Sequence, residues 1–111
     1  MKYALLIYGS DEEWESHSEA EKTAIYQEYS AISETPGTYG GAELQPAQSA
    51  TTVRVRDGET MTTDGPFAET KEVLGGFYLF EADNLDDAIA IAARIPAAKY
   101  GGIEVRPLVE R

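Results

Sequence analysis

The sequence predicts an α+β sandwich, with helices on one face of a mostly antiparallel sheet. Three observations carry this. Residues 2–9 (KYALLIYG) and 75–82 (GGFYLFEA) are apolar at both alternating sets of positions, as strands covered on both faces are. Two other stretches repeat apolar residues at helical spacing between start and stop signals. Asp57-Gly58, flanked by alternating residues, marks a tight hairpin.

Taken in order, the first strand sets Tyr3, Leu5 and Ile7 on one face and Ala4, Leu6 and Tyr8 on the other, which places it centrally in a sheet. Asp11, Glu12, Glu13, Glu15, Glu19 and Glu21 follow within eleven positions and read as a solvated loop carrying Trp14. A helix is predicted from Ser18 to Glu34. Ser18 and Glu21 have capping-box spacing, Ile25, Tyr29 and Ile32 form a stripe, and Pro36-Gly37 ends it. The segment TYGGAELQPAQSA is loop-like, with a short strand at Ala42 to Leu44. In TTVRVRDGETMTT, a two-residue type I′ turn puts Arg56 opposite Glu59, with Val53 and Val55 on one face and Arg54 and Arg56 on the other.

After the second central strand, Asn84 caps LDDAIAIAARI, and Leu85, Ala88, Ile89, Ala92 and Ile95 form its buried stripe. The alanines allow this helix to approach the sheet closely, and Pro96 stops it. Last, IEVRPLV alternates Ile103 and Val105 against Glu104 and Arg106, and Pro107 suits an edge or a bulge. The order is βαββαβ with one extra hairpin strand, a ferredoxin-like arrangement. Helices on one face leave the other in need of cover, and a second copy of the sheet is the simplest cover.

The totals agree. A chain of 111 residues is read as a single domain, 1–111. Twenty acidic against nine basic residues give a net charge of −11, which argues against nucleic acid and membrane surfaces as partners. Cysteine is absent, so disulfides and thiolate metal sites are excluded, and a cytoplasmic location is expected. Leu, Ile, Val and Phe number only 22, a modest core that burial between two chains would supplement.

The stretch from Thr51 through Pro96, followed by IEVRPLVE, resembles the DGPF-type branch of the YCII-related family. Asp64-Gly65-Pro66-Phe67, with Glu69, Lys71 and Gly75-Gly76, carries the resemblance, and KYALLIYG with Trp14 agrees. The resemblance implies a ferredoxin-like fold pairing into a dimeric α+β barrel, in small cytoplasmic proteins, some linked genomically to sigma factors. It implies no established reaction. YSAISETPGTYG looks shorter than the family's usual first helix and following loop, which puts any pocket wall from that region in question.

The DGPF loop can be a rigid corner: Gly65 supplies backbone angles closed to other residues, Pro66 fixes φ, Asp64 accepts backbone N–H bonds, and Phe67 drops into the core. It can also be a platform near a barrel mouth, with Asp64 as the acid–base or ligand-orienting group, Lys71 as an anion contact, Tyr8 or Tyr78 as wall hydroxyls, and Phe67 in the pocket. His17, the one histidine, reads as a surface residue. No metal ligand set and no cofactor motif is recognisable. Three functions stay open: a dimeric small-molecule-binding domain using acid–base chemistry near the DGPF loop, a protein-interaction or regulatory module associated with transcription, and a structural dimer without a catalytic role.

Overall fold

The computed structural model describes residues Met1–Arg111. Its main sheet contains β1 (Lys2–Gly9), β2 (Thr38–Glu43), β5 (Val73–Glu81) and β6 (Gly102–Pro107) in the order β2-β5-β1-β6, all neighbours antiparallel. With α2 (Glu19–Ser33) after β1 and α3 (Leu85–Ala92) after β5, this is the ferredoxin-like arrangement. The two strands expected at the centre, β1 and β5, are the central ones. Pro107 lies on edge strand β6.

The start of α2 follows from its capping box: Ser18 Oγ accepts from the Glu21 N–H, and Glu21 accepts from the Ser18 N–H. That contact holds the exposed Glu21 carboxyl below its usual value, the Ser18 N–H contributing most and the Ser18 hydroxyl next. Asn84 caps α3 as expected, accepting from the Asp87 N–H.

Four expectations need correction. The acidic run is not all loop: Ser10 caps a short helix α1 (Asp11–Glu15), where three acidic residues in the first turn complement the helix dipole, and Trp14 sits on it. The strand expected near Ala42 begins earlier, so Tyr39-Gly40-Gly41 is part of β2 rather than of a loop. Helix α3 stops at Ala92, because Ile95 precedes Pro96 and takes an extended conformation (φ −70°, ψ 127°). Its buried face is therefore narrower, with Ala88, Ala92 and Ile95 buried and Leu85 and Ile89 about half exposed (48% and 49%).

The fourth concerns the hairpin. Strands β3 (Thr51–Arg56) and β4 (Glu59–Asp64) pair only with each other, so the extra strand does not join the main sheet. The turn is as expected, with positive φ at Asp57 (51°) and Gly58 (78°), and Arg56 faces Glu59.

Tyr3, Leu5, Ile32, Tyr78, Phe80, Ala88 and Ile95 form the core between sheet and helices. The thinnest dimension is 19 Å, room for one sheet and one helical layer. On the opposite sheet face the alternate residues Ala4, Leu6, Tyr8, Phe77 and Leu79 are half-buried, with no helix over them.

Candidate functional site

Between α2 and the β2–β5 half of the sheet lies a cleft of about 1000 Å³. Helix α2 supplies Ile25, Tyr26, Tyr29, Ser30 and Ser33, α1 supplies Trp14, and the segment around the 3₁₀ turn Pro96–Lys99 supplies Ala97 and Tyr100. Ile7 and Tyr78 form part of its floor. Two α2 carbonyls are tied to the sheet: Ile32 O accepts from the Thr38 hydroxyl of β2 at 2.9 Å, and Tyr29 O takes part in a second tie. Tyr29 O accepts a hydrogen bond from the Tyr78 hydroxyl at 2.8 Å and one from the Ser33 hydroxyl at 3.3 Å. The Tyr29 and Tyr78 rings stack at 6.4 Å, so bulky side chains occupy the layer where a closer helix would sit.

The cleft wall also holds the histidine. His17 Nε2 lies 2.6 Å from Glu13 Oε1, Nδ1 lies 3.9 Å from Glu21 Oε2, and the side chain is only 10% exposed. Its ring packs edge-on against Tyr100 at 5.2 Å, while Trp14 meets Tyr26 edge-on at 5.3 Å. The expected surface histidine is thus a largely buried one. The sequence showed no sign of this, since the short helix that brings Glu13 under the ring was read as loop.

Burial pushes the Tyr29 hydroxyl up to about 12, partly offset by the Ala97 backbone and reinforced by Tyr78 and the Glu43 and Glu13 carboxylates. Burial also raises Tyr78, against a lowering contact from Ser33, and Glu43 adds to the rise. Tyr26 is raised by burial and by Glu43. All three phenols are therefore neutral near pH 7; Tyr78 already donates its proton to Tyr29 O, which leaves Tyr26 and Tyr29 as donors.

The sequence-predicted residues are not gathered in one place. Tyr78 lines the cleft, while Tyr8 follows Ile7 and faces the other side of the sheet. Lys71 borders a separate shallow hollow of about 340 Å³ with Ser10, Asp11, Glu12, Pro66 and Glu69, and Asp64 lines neither space. Asp64 is exposed and its carboxylate accepts no hydrogen bond from the loop. The corner itself is real. Gly65 sits at φ 108°, donates its N–H to Ala50 O at 2.7 Å, and accepts from the Thr52 hydroxyl at 2.9 Å. Phe67 does not anchor in the core. It is 74% exposed, with the Arg54 guanidinium 4.7 Å from its ring centre.

Fold and cleft together define a ferredoxin-like α+β domain with a cleft of about 1000 Å³ under its first long helix. The profile of the YCII-related domain matches residues 1–111, and the chain belongs to that family. An uncharacterized protein of Rhizobium meliloti (strain 1021) is 40% identical over 114 residues, covering 97% of this chain and 92% of the relative.

Proposed function

We propose that the protein is a dimeric small-molecule-binding domain whose ligand sits in the cleft beneath α2. The observation that carries this reading is the cleft itself. Its roughly 1000 Å³ reaches the upper range of ligand pockets, and it combines apolar walls with a few converging polar groups. Tyr26, Tyr29 and Ser30 offer hydroxyls, while those of Tyr78 and Ser33, whose protons go to Tyr29 O, can only accept from a ligand. In this reading the acid–base role assigned from sequence to Asp64 moves to His17. The neighbouring Glu13 holds its ring, and a carboxylate-held imidazole is suited to exchanging a proton with a bound molecule. The loop of Asp64, Pro66 and Phe67 serves as a corner that turns the hairpin back toward β5, with Lys71 an anion contact at its own smaller hollow.

The partner in the dimer is a second copy seated on the helix-free sheet face, giving an α+β barrel. Ala4, Leu6, Phe77 and Leu79 supply the apolar surface for it. Light scattering tests this: the native protein runs at twice the chain mass, and Leu6→Asp, a charge on that face, gives single chains. A thermal-shift screen of small organic molecules tests the cleft. Stabilising ligands are expected, and a screen at millimolar concentration that yields none contradicts the reading.

One observation favours a second reading, an interaction module. Val53, Val55, Met61 and Phe67 are each more than half exposed on the hairpin and the loop after it (60%, 58%, 51% and 74%). A protein partner, such as the transcription components that the sequence resemblance implies, would meet the molecule there. Val55→Asp would then abolish partner binding without changing ligand binding.

A further inference from the structure

Resting on the cleft as a binding site, we infer that its ligand is an organic cation: a protonated amine or quaternary ammonium on a ring or short chain. The composition of the wall carries this. It includes the carboxylates of Asp11, Glu13 and Glu43, and it includes no lysine or arginine. Aromatic rings form much of the rest, among them Tyr26, Tyr29, Tyr78 and Tyr100. The face of an aromatic ring is electrically negative, so rings and carboxylates attract the same kind of guest.

Glu43 matters most. Burial raises the hydroxyls of Tyr26, Tyr29 and Tyr78 most and the Glu43 carboxylate adds to each rise, so its negative field reaches both the helix side and the sheet floor of the same space. An anionic ligand would meet that field with no cationic side chain to pair it. A neutral ligand would bury the carboxylates without answering their charge. The one wall side chain able to become positive, His17, already has Glu13 at 2.6 Å and Glu21 at 3.9 Å. The protein already uses this pairing on one ring of the cleft wall. Lys22 Nζ lies 5.5 Å from the centre of the Trp14 ring, so that ring is partly taken and the ligand's charge is assigned to the tyrosines and Glu43. A net charge of −11 further concentrates cations around the whole molecule.

Trp14 is the only tryptophan and lines the cleft, so its fluorescence reports occupancy. The test titrates three probes of similar size, benzyltrimethylammonium, benzyl alcohol and phenylacetate, at pH 8 and low salt. The expected result is that benzyltrimethylammonium binds about tenfold or more tightly than phenylacetate, with an advantage that shrinks as salt is added. Glu43→Gln should weaken it severalfold while Glu110→Gln, a control on the exposed C-terminal tail, leaves it unchanged. If benzyl alcohol or phenylacetate binds as tightly, the charge assignment falls and the cleft stands. If no probe perturbs Trp14, the charge assignment and the cleft reading fall together.

Discussion

The two long helices cover the same sheet in opposite ways. Helix α3 and the residues after it bring Ala88, Ala92 and Ile95 to full or nearly full burial. Helix α2 buries only Ile32 and leaves a cleft of about 1000 Å³. The difference lies in side-chain size. Alanines let a helix backbone settle onto the sheet, whereas Tyr29 stacked on Tyr78 sets a spacer between helix and strand. One half of the layer is built for stability and the other is held open. Function is read from the half where burial is incomplete.

The largest expected effect lies on the closed side. Ile95→Ala removes a fully buried side chain and should destabilise by about 2–5 kcal/mol in chemical denaturation. A loss under about 1 kcal/mol would mean that side is as loosely packed as the other. Ala88→Leu should cost about 1–3 kcal/mol, since its extra atoms have nowhere to go. Tyr29→Phe sharpens the comparison through pH. The Tyr29 hydroxyl titrates at about 12 when folded, above its ordinary 10, so the folded state holds this proton more tightly. Its contribution is complete below pH 10 and is lost as pH rises toward 12. Denaturation midpoints should therefore fall less steeply between pH 10 and 12 in Tyr29→Phe than in the native protein, and parallel curves would contradict this burial. The smallest effect belongs outside both halves: Phe67→Ala should change stability by less than about 1 kcal/mol, because the ring is 74% exposed.

Most of the fold is legible in the sequence, because each element carries its own local signals. Two-sided strands, the Ser18–Glu21 box, the Asn84 cap and the Asp57-Gly58 turn all act within a few residues, and all four are present. What failed was tertiary. The sequence says that Val53 and Val55 alternate with arginines, but not that their hairpin stays apart from the main sheet. Phe67 has the composition of an anchor, yet only the path of the chain after Gly65 decides that it points outward. Of the expected site, Tyr78 alone lines the cleft. Asp64 stands out by its motif, while the site's polar groups come from the α1–α2 region, β2 and β5, segments brought to one cleft only by folding. Glu43 and His17 gave no local sign, since a carboxylate on a short strand expected at Ala42 to Leu44 and a histidine in an acidic run both look solvated.

The most direct test uses the cleft against the DGPF loop. Ser33 lines the cleft from an exposed position on α2, so Ser33→Phe fills the space without disturbing the core. Any ligand found by screening should lose about tenfold or more in affinity to Ser33→Phe, measured by calorimetry, and bind Lys71→Ala like the native protein. Binding that survives Ser33→Phe but is lost with Lys71→Ala would place the site at the DGPF loop and contradict the account.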